Sequence, residues 1–329
     1  MKKQIDTLIK KCFCEAQCEA DIRYNEPMKN HTTFKVGGPA DCLIRPDGEG
    51  FSGFCIALLK NARDMKIPVF ILGGGANIVV SDKGIRGIVL DMTAWTGKSV
   101  LTLFENDEEI IFKSGTGMDE AACNAAALSL TGLEFLAGMP GTIGGAVWMN
   151  ARCYGSEIAD VLSRVEIIAY EKNEYIVKRI EIEKEKNSCV PLQDTGFDYK
   201  QSPFQKMDCI ILSAAFKLNK GDKEEILVKM NKNKKDRFEK GHYKFPCAGS
   251  AFKNNRDFGK PAGQIIDELG LKGLKKGGAQ IAPFHGNFII NTGNAKAKDI
   301  RTLVNEVTAK VKKETGFTLE PEILFVGER

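Results

Sequence analysis

The chain has 329 residues, 43% hydrophobic and 27% charged, which is the composition of an ordinary globular protein and a length that predicts two or three domains. A net charge of only +4, spread along the chain, gives no argument for nucleic acid and at most a mild attraction for an anionic substrate. Ten cysteines include no C-x-x-C pair, MKKQIDTLIKKCFCEAQ has no apolar signal-type core, and no run reaches membrane-spanning length, so reduced thiols, no membrane and a cytoplasmic setting are expected.

In chain order, Ile5, Leu8, Ile9 and Cys12 fall at helical spacing and predict a helix from about Ile5 to Ala20. Cys12, Cys14 and Cys18 have a spacing that fits no zinc or cluster framework, so they read as thiols on that helix and no metal is expected. Tyr24 to Lys29 reads as a loop, and Phe34 to Pro46 as short strands around the Gly37-Gly38-Pro39 turn. A helix from Phe51 to Met65 and the strand VFIL complete a β-α-β arrangement, and a first glycine cluster follows in ILGGGANIVVSDKGIRG (Ile71 to Gly87). GIVLDM, VLTLF and EIIFKSG then read as strands, and Gly117 to Leu130 as an alanine-rich helix whose Met118, Ala121, Ala122 and Ala125 can pack tightly.

The second glycine cluster, GMPGTIGGAVWMNARCYG (Gly138 to Gly155), is the most informative stretch. RVEIIAYEK, EYIVKRI and CIILSAAFKLN alternate like antiparallel strands, and the turn-rich FDYKQSPFQ (Phe197 to Gln205) between them carries Lys200. Lys223 to Glu239 reads as a solvated charged helix leading into a third domain from about Gly241. That domain has expected helices at Ala262 to Leu269 and Ala297 to Thr315, and strands at Gln280 to Ile281, Phe288 to Asn291 and Glu322 to Val326.

Glycines such as Gly141, Gly144 and Gly145 can take positive φ and let a ligand approach bare backbone, so that successive N–H groups bind an anion such as a pyrophosphate. Two such nests point to one large phosphorylated cofactor. The candidate contacts are Gly73, Gly74, Gly75, Ala76 and Asn77 in the first cluster, and Gly138, Pro140, Gly141, Gly144, Gly145, Asn150 and Tyr154 in the second. LGGGAN lacks the order of a dinucleotide-binding fingerprint, and no Gly-Lys-Ser/Thr of a P-loop occurs.

The order of these pieces resembles the UDP-N-acetylenolpyruvoylglucosamine reductases of peptidoglycan synthesis, in the shorter form without an extra substrate-capping loop. The resemblance runs through NHTTFKVGGPADCLIRP, LGGGANIVVSDKGIRG, AGMPGTIGGAVWMNARCYGSEI, FPCAGSAFKN, AGQIIDELGLKG, HGNFIIN and LEPEILFVGE, nearly the whole chain. It implies an α+β fold: two domains, about 1–90 and 91–235, forming a PCMH-like FAD-binding fold, and a C-terminal α+β substrate-binding domain at 236–329. It also implies FAD and NADPH as cofactors, UDP-N-acetylglucosamine enolpyruvate as substrate, and a monomer.

In that family, hydride from the flavin reaches the methylene carbon of the enolpyruvyl group, and the charge that develops beside the carboxylate needs a proton donor and a polarising group. Ser250 in AGSAFKN aligns with the proton-donating serine, with Lys253 a source of positive charge and Asn254 a candidate substrate contact. Glu322 aligns with the glutamate that polarises the carboxylate end of the substrate.

The chain departs from the family at Tyr199-Lys200-Gln201-Ser202, where the family has Tyr-Arg-x-Ser. Lysine keeps the charge but loses the planar fork, which predicts looser carboxylate orientation and reduced activity; Tyr199 is the neighbouring substrate contact. Further departures are Ala282-Pro283-Phe284 before His285, Gly241-His242-Tyr243, and Lys35 in place of an arginine, and His285 reads as a packing residue. Two alternatives stay open: an FAD-dependent oxidoreductase of different substrate, and a relative that binds flavin or nucleotide sugar without turnover.

Overall fold

A computed structural model describes residues 1–102, 107–182 and 196–328 of the chain. Cys189 and the last two residues of VLTLF lie outside them. The described chain is mixed α+β and divides into two compact units, one of Met1–Arg23, Cys42–Gly74 and Gly87–Lys235, the other of Tyr24–Asp41, Gly75–Arg86 and Asp236–Arg329.

Helix α1 (Lys2–Glu15) buries Ile5, Leu8, Ile9 and Cys12, the stripe its spacing predicts. It stops short of Ala20 because Ala16 turns extended and the chain enters β1 (Glu19–Pro27), which occupies most of the loop expected at Tyr24 to Lys29. None of the nine β1 residues is fully buried, so the strand carries no hydrophobic alternation for a sequence reading to find. A single strand β2 (Pro39–Asp47) follows where short strands on both sides of the glycine turn were expected. Helix α2 (Phe51–Asp64) buries Phe51, Phe54, Cys55 and Leu58, and its Phe54 ring lies 5.2 Å from that of Phe13 in α1.

Strands β3 (Val69–Leu72), β4 (Ile78–Val80) and β5 (Ile85–Asp91) come next, and β3 runs parallel to β5 from Val69↔Ile88 to Leu72↔Asp91. The first four-stranded sheet is ordered β1-β2-β5-β3. Beyond it lie β6 (Lys98–Thr102), β7 (Asp107–Lys113), α3 (Met118–Ala127), β8 (Leu130–Thr131), the short α4 (Ile143–Trp148), β9 (Arg152–Cys153), β10 (Ser156–Glu157) and α5 (Ile158–Val161). Strands β11 (Leu162–Glu171), β12 (Glu174–Glu181) and β13 (Cys209–Lys220) are antiparallel, as their alternation predicts.

These last strands belong to a sheet ordered β12-β11-β13-β7-β6, with β8 added on β13. The β11–β12 hairpin turns through Lys172 and Asn173, both at positive φ, as a two-residue connection with the twist of its strands requires. On one face Ile110, Phe112, Val165, Ile167, Ala214 and Phe216 bury against Met118, Ala121, Ala122 and Ala125 of α3 and Ile143, Ala146 and Val147 of α4. The small α3 residues let its backbone lie close to the sheet, and this core fixes α4.

After α6 (Lys223–Glu239), the second unit contains a sheet of β14 (Cys247–Ser250), β15 (Lys275–Lys276), β16 (Ala279–Ile281) and β17 (Phe288–Asn291), in the order β14-β17-β16-β15. Helices α7 (Ala262–Glu268) and α8 (Ala297–Thr315) supply Ile265, Ile266, Ile300, Leu303, Val304 and Val307 to a core shared with Phe34, Val36 and Val79. Strand β18 (Leu324–Val326) pairs in parallel with β4, Leu324 opposite Ile78, and so ties the chain's end to its first quarter. Among the described residues no helix is long and apolar enough to cross a membrane, and no group of three or more His, Cys, Asp or Glu residues is placed to hold a metal ion.

Candidate active site

In the first unit the two glycine clusters meet. A Cβ added to Gly74 would lie 2.7 Å from the Cα of Gly141, and one added to Gly73 would lie 2.7 Å from Thr142 Oγ1. At Gly74 the obstruction is backbone, so no larger side chain fits without displacing the opposite loop, whereas at Gly73 it is the Thr142 hydroxyl that would have to move. Strand β3 delivers Gly73 and Gly74, and the turn before α4 delivers Gly141, whose φ of 117° is closed to other residues. Gly138 is also left-handed, at φ 74°, and its N–H donates to Asp119 Oδ1 over 2.8 Å. Burial of Asp119 works against its charge, yet the hydrogen bonds from Lys234 and Gly138 prevail and hold the carboxyl below its usual range.

The expectation of a continuous nest at Gly141, Gly144 and Gly145 needs correction. Gly144 and Gly145 lie inside α4 with ordinary helical φ, and the Gly144 N–H is taken by Ser114 O at 2.8 Å. Gly144 is required for packing instead, since its Cβ would meet Ser114 Cβ at 2.8 Å. The Gly145 N–H turns back to the Oγ1 of its N-cap, Thr142. Pro140 and Gly145 are exposed beside this turn.

Asn150, at φ 42°, is wholly buried; its Nδ2 donates to Asp198 O and its Oδ1 accepts from Ala159 N–H, both at 3.0 Å. Its side chain therefore pins the Phe197–Gln205 turn to the end of α4. Ser202 Oγ and Gln205 Nε2 add donations to Trp148 O at 2.8 and 2.9 Å. The turn closes by reciprocal backbone bonds between Asp198 and Gln201, and Lys200 sits in it at φ 59°. The Tyr199 ring has two cations near it: Lys200 Nζ at 6.0 Å and Arg152 Cζ at 5.9 Å from its centroid. Tyr154 is 40% exposed and donates its hydroxyl to Asn233 O.

In the second unit Gly75 is left-handed, and a Cβ there would strike His31 O at 2.0 Å. Ala76 O accepts a long bond from Thr33 Oγ1, and Asn77 Nδ2 donates to Glu322 O over 3.1 Å while Asn77 O accepts from Leu324 N–H. Asn77 thus fixes the backbone on both sides of Ile323, a link between residues far apart in sequence.

Ser250 closes β14 opposite Phe288, after the left-handed Gly249. The residue that follows it, Ala251, accepts the Glu322 N–H at 2.8 Å, so Ser250 and Glu322 come from neighbouring backbone segments, as the alignment of both to one site requires. Asn287 clamps the Ser250 loop: it is 3% exposed, its Oδ1 accepts Phe252 N–H and its Nδ2 donates to Phe252 O, both at 2.9 Å. Sequence reasoning passed over Asn287, although it stands in the HGNFIIN motif.

Lys253 pairs with Glu320 at 2.5 Å, and Asn254 Oδ1 accepts the Ala262 N–H at the start of α7, so both side chains have structural employment beside Ser250. His285 stacks on Phe288 with centroids 3.9 Å apart, and burial lowers its pKa, in keeping with a packing role. The departures at 241–243 and 282–284 are one contact: a Cβ on Gly241 would lie 2.5 Å from Phe284 Cε2. Lys35 is exposed at φ 55°.

Residues 241–326 match the family model for the C-terminal domain of UDP-N-acetylenolpyruvoylglucosamine reductase, and residues 54–176 match that for an FAD binding domain. The UDP-N-acetylenolpyruvoylglucosamine reductase of Treponema denticola is 43% identical over 324 residues, covering 94% of this chain and 95% of that protein. The chain belongs to that reductase family. The enzyme of the same name from Borreliella burgdorferi is 39% identical over 331 residues, with 99% of each chain covered. The crystal structure of UDP-N-acetylenolpyruvylglucosamine reductase from Thermus caldophilus superposes with a TM-score of 0.69 at 33% identity, over 94% of this chain and 99% of that one. The architecture is accordingly the expected α+β one, an FAD-binding fold with a reductase C-terminal region.

Proposed function

We propose that the chain is an NADPH-dependent, FAD-containing reductase that converts UDP-N-acetylglucosamine enolpyruvate to UDP-N-acetylmuramate, a cytoplasmic step of peptidoglycan precursor synthesis. The observation that carries the reading is the approach of the two glycine loops, Gly73-Gly74 against Gly141-Thr142, inside the region that matches an FAD binding domain. Glycine at these points lets the two loops meet closely, and paired loops of bare backbone are what a pyrophosphate site needs, so the residues present fit the cofactor. Gly73 to Asn77 and Gly138 to Gly141 would hold it, with Gly144 packing α4 against Ser114 and Asn150 and Tyr154 bracing the segment after it. Bound FAD would supply the hydride chemistry, from NADPH to the methylene carbon of the enolpyruvyl group.

The chain's own residues then manage charge and proton. Glu322 engages the carboxylate end of the substrate, and Ser250 gives its hydroxyl proton to the adjacent carbon, which completes addition of one hydride and one proton across the double bond. Lys200 supplies a catalytic positive charge, and Tyr199, Lys253 and Asn254 are assigned to substrate binding. Functionally the chain is divided as 1–90 and 91–235 for the flavin and 236–329 for the substrate, and it acts as a monomer.

The test is NADPH oxidation by the purified yellow protein with and without UDP-N-acetylglucosamine enolpyruvate, with the product identified by mass. Substrate-dependent oxidation yielding UDP-N-acetylmuramate is expected. Bound flavin without substrate-dependent turnover would transfer support to a different substrate or to a catalytically lapsed relative.

A further inference from the structure

We propose that Asp119 is a positioning residue for the flavin, its carboxylate fixing the entry of the Gly138–Gly141 loop that holds the cofactor. The inference rests on the reading of that loop as part of the flavin site, and it adds a residue that lies outside the glycine motifs. Asp119 stands in the first turn of α3, the helix whose alanine-rich sequence speaks only for packing.

The segment from Ser114 to Asp119 runs along the second glycine cluster in the opposite direction. Gly144 N–H donates to Ser114 O at 2.8 Å, Ile143 N–H to Thr116 O at 2.9 Å and Met118 N–H to Gly141 O at 3.1 Å, while Gly117 and Thr142 pair as an antiparallel bridge. From Met118 onward the chain is helical, and the Asp119 side chain carries the ladder one step further: its Oδ1 accepts the Gly138 N–H at 2.8 Å. Consecutive residues of α3, Met118 and Asp119, thus hold the two ends of the short loop Gly138-Met139-Pro140-Gly141. Both ends are left-handed, at φ 74° and 117°, and the second lies at the closest approach to Gly74.

Lys234 of α6 bonds the same Oδ1 at 2.8 Å, which steadies the carboxylate. Its neighbour Asn233 donates Nδ2 to Glu134 O, before the loop, and accepts the Tyr154 hydroxyl on its backbone oxygen, after α4. The Lys234 and Asp119 side chains are 37% and 44% exposed, so the ion pair itself adds little to stability. What Asp119 holds is a turn. Released from it, Gly138 regains the freedom of a glycine, and the cofactor must order the loop as it binds.

The test dilutes the holoenzyme stepwise and reads released FAD by its fluorescence, for wild type, Asp119→Ala, Asp119→Asn, Asp119→Gln and, as a marker of the opposite loop, Gly74→Ala. Asp119→Ala is expected to raise the FAD Kd roughly tenfold with the circular dichroism spectrum unchanged, the effect of a backbone residue left to be ordered on binding. Loss of a negative charge would by itself favour an anionic cofactor, so this loosening is opposite in sign to the electrostatic effect. Asparagine keeps an acceptor oxygen at the same reach, and Asp119→Asn is expected within about twofold of wild type. Glutamine carries the same groups one methylene too far out, and Asp119→Gln is expected to resemble Asp119→Ala. Equal loosening in the Asn and Ala variants would tie the effect to charge or to the Lys234 pair and overturn the proposal. Wild-type affinity in all the Asp119 variants, with loss in Gly74→Ala, overturns it and leaves the flavin site standing. Wild-type affinity in Gly74→Ala as well removes the loop from the flavin site and this inference with it. If Asp119→Ala does not fold, Asn against Gln decides: tight binding with Asn and loose binding with Gln supports the proposal, and equal affinities overturn it.

Discussion

Ser250 and Glu322 are assigned by alignment with family motifs, and what the tertiary structure adds is the backbone that brings them near. The Glu322 N–H bonds the carbonyl of the residue after Ser250, and Asn287 and Asn77 brace the two segments. A serine that only gives a proton late in the reaction should be separable from the earlier half-reaction. Ser250→Ala is expected to leave NADPH reduction of the flavin within about twofold of wild type and to lower product formation roughly 10²- to 10⁴-fold, the usual range for a lost proton donor. Stopped-flow flavin bleaching against product yield measures both; equal loss in the two would remove Ser250 from the proton-transfer role. At this scale the motifs that contain Ser250, Glu322 and the glycines were visible in the sequence because each is written in a few consecutive residues, while the roles proposed for them rest on the family resemblance. Asp119 and Asn287 were not, because nothing in their own neighbours announces which distant residues they meet.

Among the elements, the approach of the loop after β3 to the loop before α4 decides the proposed cofactor site. The alanine-rich face of α3 lets the α4 segment sit close to the β7 end, and the Gly144 N–H bond to Ser114 O locks that depth. Gly74→Ala would place a methyl 2.7 Å from the Gly141 backbone, where neither loop can yield as a flexible side chain would. The variant is expected to purify with flavin content lowered at least about tenfold, read from the ratio of absorbance at the flavin band to that of protein, while its secondary structure by circular dichroism is kept. Full flavin occupancy in Gly74→Ala would remove the loop contact from the binding site. Element existence was readable from periodicity in α1, α2, α8 and the β11–β12–β13 run. β1 was not, since a strand with no buried residue has no alternation, and the helical state of Gly144-Gly145 was hidden because glycine is equally compatible with a nest and with a helix, packed at Gly144 too tightly for a Cβ.

For the molecule as a whole, pH dependence of stability is set in part by His242, half-buried with its ring edge-on to Phe288 at 4.5 Å. Burial, then the nearby charge of Arg237, pushes its pKa down to about 3 from the ordinary 6.5. The folded form therefore binds this proton less readily than the unfolded form. Stability attributable to the neutral ring is fully present above about pH 6.5, is lost as pH falls from there toward 3, and does not change further below that. Burial lowers His285 in the same direction. In His242→Phe, the fall in Tm between pH 7 and pH 4 is expected to shrink by a few degrees relative to wild type, because one group that must charge on acidification is gone. An unchanged Tm difference would show that the ring is already protonated or solvated in the fold.

By itself the sequence determined the family, the mixed α+β character and the chemistry of the candidate residues, because ordered glycine, serine and glutamate motifs and hydrophobic periodicity are written within a few residues of one another. Only the tertiary structure decided which of them share surroundings. It paired β18 with β4, set Gly74 on Gly141, turned Asn77 to the Glu322 backbone and brought Arg152 to the Tyr199 ring. Each of these joins segments at least some tens of residues apart, and long-range packing depends on how buried faces close on one another, a property of the folded core that no local stretch of sequence contains.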